Sequence, residues 1–563
     1  MDNVTVVGLG RPDVRALAAA GLLAVTGSCA PEEQPADLIL HGGRIVTVDA
    51  GLGDVEALAV RAGRVEAAGS DADVLRLRNP DTHVVDLDGR TVVPGLTDNH
   101  FHALGGGPGV DLSRARTMAE LLAAIATRAA ETEPGELVVT NSNWHEGQLA
   151  EQRLPLRDDL DRVAPDHPVV VVRGGHEFIL NSAALSRWGI DETDESPPGG
   201  RIGRYDDGRL NGELVDRAKD PVTLPPRAAE DPAARFLETQ AVMNALGVTA
   251  LRIPGGTPGQ FTMLRGLAED DRLTVRVEFL FRLRGTSVDE VRDVVASWGV
   301  PPGFSAGLLS VGGVKLGVDG GFEGGWMREP YEEPWGRGGA FHGLQTMPTE
   351  LFHGTVRELN ALGWRVATHA VGDAAIDLVL DAYEQADAAT PLAHRRWTIE
   401  HGFIPAPDHF ERVRRLGLTV TAQHHLYVAA PSLVDYWGAL RAALTTPLGR
   451  YIEEEIPVSL GTDSPVIPHN PFAVLYHFAT RGTLSAGTMG AEYAVGRMAA
   501  LRAMTTGYAY QVFAESERGT LAPGMAADLA VLSGDYLAVP DAEVPGLTAL
   551  ITVVGGRIVH DGR

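Results

Sequence analysis

Eight short apolar, β-prone runs recur through this 563-residue chain, at 91–96, 248–253, 275–281, 309–318, 365–369, 397–401, 418–422 and 457–461. Runs of this length, rich in Val, Ile, Leu and Phe, read as strands buried on both faces, and the stretches at 349–362 and 374–386 read as helices crossing between them. Parallel strands joined in this way close into a (β/α)8 TIM barrel, so the predicted fold class is α/β. The interval between the first two runs is too long for one crossover. The span from about 103 to 245 is therefore expected to hold an inserted subdomain, with its own strand at 169–173 and a turn at Ser196-Pro-Pro-Gly-Gly200.

The segment Gly-Gly-Arg-Ile-Val occurs at 42–46 and again at 555–559, each time within alternating, hairpin-like sequence. Neither set of hairpins is large enough to be stable alone. Residues 37–93 and 524–563 are expected to build one composite β-sandwich, leaving 94–523 as the barrel and its insertion. Ahead of them, residues 1–36 carry a short basic region, an apolar run from Ala16 to Val25 and then Thr26-Gly-Ser-Cys29. This reads as a lipoprotein-type signal and tether, giving an exported protein held at the cell envelope through a lipidated Cys29, or a cytoplasmic one if the segment is only an extension. Cys29 is the only cysteine, so no intramolecular disulfide forms. With 74 acidic against 48 basic residues the net charge is −26, which argues against nucleic acid or an anionic membrane surface as a partner. The sequence carries no signal of oligomeric state.

Of those basic residues only Lys219 and Lys315 are lysines, and Lys315 falls in the apolar run Ser310-Val-Gly-Gly-Val-Lys-Leu-Gly-Val-Asp319. A desolvated lysine can lose its proton and become a nucleophile, a base or, with carbon dioxide, a carbamate; arginine cannot. The plainer alternative is a salt bridge to Asp319. Other strand ends weigh on the choice. His100 and His102, two apart after the first run, share a face, and His369, His401 and Asp463 each end a later run. In such barrels side chains at strand ends collect at the C-terminal mouth. Imidazoles with a carboxylate suit zinc or a similar divalent metal, one ion or two, with a carbamylated Lys315 as the bridge in the second case. Asp463 is placed to take a proton from a water and return it to a leaving nitrogen, which makes the expected chemistry hydrolysis at an electrophilic carbon.

At these residues the chain resembles the amidohydrolase superfamily, in the branch that includes N-substituted formamide deformylase. The resemblance is carried by Pro94-Gly-Leu-Thr-Asp-Asn-His-Phe-His102, Val314-Lys-Leu-Gly-Val-Asp-Gly320, His369-Ala-Val-Gly-Asp373, Ile399-Glu-His401 and Leu460-Gly-Thr-Asp-Ser-Pro465. The insertion matches in Gly175-His-Glu-Phe-Ile-Leu-Asn-Ser182. It implies His100, His102, His369, His401 and Asp463 as metal ligands and Lys315 as a carbamylated bridge. It also implies that His176 and Asn181 reach over the mouth toward substrate, the alternative being a hydrogen-bonded pair inside the insertion. Trp144 and Trp326 are candidates for an apolar substrate wall, or else core. Of His424 and His425 alternation lets only one face inward to meet a substrate carbonyl, with His424 the candidate and a rim histidine the alternative. The expected function is metal-dependent hydrolysis of a C–N bond in a small N-formyl, N-acyl or cyclic amide. The alternatives are a deaminase or isomerase of a small heterocycle, and a non-catalytic binding lipoprotein.

Overall fold

The computed structural model describes residues 35–107, 109–225, 231–283 and 285–563. The segment with Cys29, expected as a signal and tether, lies outside the described residues. Eight strands form the barrel: β1 (Leu96–Asp98), β2 (Val248–Gly256), β3 (Arg276–Arg282), β4 (Leu309–Gly317), β5 (Val366–Ala370), β6 (Thr398–His401), β7 (Thr419–Gln423) and β8 (Val458–Gly461), each parallel to the next. Between β8 and β1 the wall is joined by the Asn99 N–H donating to Leu460 O at 3.1 Å and by a parallel bridge from Phe101 to Ser464. The Asp98 carboxylate secures the same seam, accepting from the Thr462 N–H at 2.9 Å and hydroxyl at 2.5 Å.

The first apolar run is not one strand. Thr91–Pro94 pairs antiparallel with Leu529–Leu532 outside the barrel, and β1 starts only at Leu96. The break falls at Gly95, whose N–H donates to Asp528 O while the next N–H donates to Gly247 O. A Cβ on Gly95 would stand 2.2 Å from Thr249 Oγ1, so only glycine lets the chain step from one sheet to the other here.

Both chain ends meet in a six-stranded sheet ordered Arg557–Asp561, Ala549–Val554, Leu529–Leu532, Thr91–Pro94, Arg44–Val46, Asp54–Val55. A four-stranded sheet ordered Arg64–Gly69, Ala57–Arg61, Leu38–His41, His83–Asp86 packs on it through a shared core that includes Leu40, Ile45, Leu58, Val92 and Leu529. Among the described residues no helix is long and apolar enough to cross a membrane.

Between β1 and β2 the chain folds a five-stranded sheet ordered Gly200–Arg204, Leu210–Asp216, Glu177–Leu180, Val169–Arg173, Val138–Val139. It keeps its own core, with Leu121, Ile125, Leu160, Val169 and Ile179 fully buried. Arg173, itself buried, fastens this layer to the barrel. Its guanidinium donates to both oxygens of Glu146, at 2.6 and 2.9 Å, and to Glu323 at 2.7 Å on the loop after β4. Ser432, on the helix after β7, donates to Glu146 as well. Removing one partner of a buried ion network strands the others, at a cost of about 3–5 kcal/mol. Arg173→Met is therefore expected to lower unfolding free energy by that amount in denaturant titration. Arg209→Ala, which breaks exposed pairs with Asp158 and Asp207, should change it by less than about 1 kcal/mol. Equal effects would show that the buried network does not hold the insertion in place.

Candidate metal centre at the barrel mouth

Strand ends from around the barrel deliver titratable side chains to one point. The rings of His100 and His102, just past β1, lie 5.1 Å apart. His401, at the end of β6, is 4.5 Å from the His100 ring and 4.7 Å from that of His369 on β5. Asp463, after β8, sets Oδ1 3.2 Å from His102 Nε2 and 3.6 Å from His100 Nε2. One ligand atom from each of His100, His401 and Asp463 falls within 4.8 Å of the other two. Lys315 on β4 places Nζ 3.4 Å from His100 Nε2.

Two of these residues sit in strained backbone. His401 has φ 71° and Asp463 φ 64°, a left-handed conformation that costs a residue with a side chain about 1–3 kcal/mol. Leaving the pleat at His401 is what allows it and its neighbour Glu400, which alternation would send to opposite faces, to reach the same centre. Hydrogen bonds then set the rings. His100 Nδ1 lies 2.7 Å from Glu400 Oε2 and His401 Nδ1 2.8 Å from Gln423 Oε1. Each acceptor calls for a proton on Nδ1 and leaves the Nε2 lone pair free.

Burial decides the charges. It pushes the His100 imidazole down to about 3, helped by the Lys315 ammonium, and holds His369 and His401 well below the usual histidine range. At neutral pH these rings are uncharged donors of a lone pair. Burial alone would raise Asp463, but the adjacent His100 and the hydrogen bonds from His102 and His425 outweigh it and hold the carboxyl well below the usual carboxylate range. Lys315 is lowered by burial to about 8. Neutral imidazoles around a buried anion can hold a divalent cation.

A family model described as the amidohydrolase family matches residues 83–560. The chain belongs to the amidohydrolase family. This amidohydrolase is 28% identical over 555 residues to N-substituted formamide deformylase of Arthrobacter pascens, covering 94% of this chain and 99% of that one. It is 27% identical over 547 residues to the putative amidohydrolase YtcJ of Bacillus subtilis (strain 168), covering 93% and 99%. In fold it is similar to an uncharacterized metal-dependent hydrolase from Pyrococcus horikoshii, with TM-score 0.65 at 23% identity over 90% of this chain and 99% of that one.

The remaining sequence candidates divide. His176 stands at the mouth of the amidohydrolase, its ring stacked on His369 at 5.4 Å and its Nδ1 2.6 Å from Asp216 Oδ1. Asn181 does not reach it. Fully buried in the insertion, its amide oxygen accepts from the N–H groups of Val169 and Ala184 and its NH2 donates to Ala164 O and His167 O, so it caps the helix Ser182–Arg187. Trp144 is likewise core: its ring lies in the insertion's hydrophobic cluster and its Nε1–H donates to Val172 O. Trp326 packs against the barrel's hydrophobic core, while its backbone N–H donates to Asp319. Asp319 also accepts from the N–H groups of Val371 and Gly372. The carboxylate thus fixes the loop that follows β5, in place of the salt bridge to Lys315.

At the end of β7 the inward residue is His425, not His424. The strand stops at Gln423 and His425 opens a helix, so strand alternation no longer applies. His425 Nε2 lies 3.0 Å from Asp463 Oδ2, whereas the buried His424 packs its ring 5.8 Å from Tyr427. Glu400 and Gln423 carry no strand-end signal in the sequence, although Glu400 stands inside the motif Ile399-Glu-His401. A second histidine–carboxylate group, Asp377, Asp408 and His409, is already filled by the Arg328 guanidinium, 2.6 Å from Asp377 and 2.8 Å from Asp408.

Proposed function

We propose that this chain is a metal-dependent hydrolase of a C–N bond other than a peptide bond, in a small N-formyl, N-acyl or cyclic amide. The reading is carried by the convergence of neutral His100 and His401 on ionised Asp463 at the barrel mouth. This donor set fits zinc or a similar divalent ion. His100, His102, His369, His401 and Asp463 would hold one ion or two, and a carbamylated Lys315 would bridge the second case. When bound, the metal supplies an acidified water and polarises the amide carbonyl.

The chain's own residues do the rest. Asp463 receives the proton of the attacking water and passes it to the leaving nitrogen. His425, 3.0 Å from Asp463 Oδ2, steadies that carboxylate. Phe322 and Phe403, with ring centroids 5.4 and 4.7 Å from His425, close one side of the site to water. On the other side His102 and His176 are each about one-third exposed and line the way in. Similarity to a relative named N-substituted formamide deformylase supports N-formyl amides as the first substrates to try.

The test is metal analysis of the purified full chain, followed by a panel of N-formyl amides, N-acyl amides, cyclic amides and dipeptides before and after chelation. Amide hydrolysis that is lost with the metal and restored by zinc is expected, with formate or another acid released beside the amine. Undiminished turnover in a metal-free preparation would sink the reading. Preferential cleavage of dipeptides would overturn the non-peptide assignment.

A further inference from the structure

Beneath the metal centre the barrel interior holds a row of ions where aliphatic layers are the rule. Arg365 Nη1 lies 3.1 Å from Glu278 Oε1, Glu278 Oε2 lies 3.0 Å from Arg252 Nε, and Arg252 Nη1 donates to Glu400 Oε1 at 2.5 Å. The row ends at Glu400 Oε2, which accepts hydrogen bonds from His100 Nδ1–H at 2.7 Å and from the Thr421 hydroxyl at 2.6 Å. Arg252, Glu278 and Glu400 are all buried. Room for Glu278 is left by Gly312, where a Cβ would fall 2.4 Å from the Glu278 carboxyl carbon.

We infer that Arg252 and Glu400 are positioning residues of the metal centre, which together fix the His100 proton on Nδ1 and so present the Nε2 lone pair to the ion. The inference rests on the metal reading above. Glu400 has two acceptor oxygens, and Arg252 has only donors to offer one of them. Whatever stands at position 400 must therefore turn an oxygen toward Arg252. A carboxylate can do this and still accept from His100. An amide cannot: with Oε1 held by Arg252, its NH2 faces His100 Nδ1, the proton moves to Nε2, and the lone pair is lost at the point where Asp463 and Lys315 converge. The Thr421 hydroxyl can rotate to accept from that NH2, so the fold tolerates the change while the ligand does not.

Zinc affinity of the full chain, read by competition with a chromophoric chelator, tests this alongside thermal melting of the metal-stripped protein. Glu400→Gln is expected to weaken zinc by about 10- to 100-fold while the metal-stripped protein still melts as a folded chain. Arg252→Met combined with Glu400→Gln should bind zinc more tightly than Glu400→Gln alone, because the amide is then free to turn its oxygen to His100. Wild-type affinity in Glu400→Gln, or additive losses in the double variant, would overturn the inference. If the double variant does not fold, Glu400→Asp replaces it. A retained carboxylate should retain most of the affinity, and a loss equal to that of Glu400→Gln counts against the proposal. A wild-type chain that takes up no zinc defeats the metal reading itself, a result distinct from either.

Discussion

Lys315→Arg is expected to leave the chain folded and to remove metal and turnover together. Lys315 Nζ lies 3.4 Å from His100 Nε2, and burial brings its pKa to about 8. An amine held that low is partly neutral near pH 7, the form that the proposed carbamate requires. A guanidinium never reaches that state. It would instead hold a fixed positive charge beside the His100 Nε2 lone pair, where repulsion of a cation at about 4 Å would be worth about 4 kcal/mol for each of the ion's charges, enough to empty the site of a divalent ion. Metal content by elemental analysis, with kcat on the best amide substrate, reads both effects. Near-normal occupancy and activity in Lys315→Arg would mean that the lysine contributes only its charge.

Asp463→Asn should lower kcat by about 100- to 10,000-fold, the range that a positioned general acid–base supplies. Asparagine keeps the shape of the side chain and can still meet His425, but it cannot accept a proton from water. The loss should therefore appear in kcat more than in KM. Part of it will come through weaker metal binding, since Asp463 faces His100 and His102 directly, so assays at saturating zinc separate the two contributions. Activity within tenfold of wild type at saturating zinc would remove Asp463 from the proton path.

The barrel was legible because its strands are long apolar runs and because candidate ligands end them at matching places, which needs only periodicity to see. His100, His102, His369, His401 and Asp463 all follow from that. What periodicity cannot carry is the direction of a side chain once the backbone leaves regular geometry. The left-handed residue at His401 brings adjacent residues to one centre, and the helix beginning at His425 exchanges the expected inward histidine for its neighbour. For Asn181 and Trp144 the sequence left two readings open for a different reason: a buried cap and a core indole have the same composition as a substrate wall, and only tertiary packing selects the structural role that both take. The division of the first run at Gly95 depends on an approach to Thr249, which is 154 positions further along the chain and invisible to a local reading.

The sandwich shared by both chain ends has a consequence for how the molecule is made. Arg44 and Asp535 meet across a sequence gap of 491 residues. At about 5–20 residues per second, a ribosome needs roughly 25 to 100 s to bring out the second partner after the first. Throughout that interval Thr91–Pro94 has no Leu529–Leu532 to pair with, and apolar strand edges wait in the open. Vectorial synthesis thus leaves the earliest-made strands to be finished last, which puts the period of greatest aggregation risk before release from the ribosome and favours expression at low temperature or with abundant chaperones.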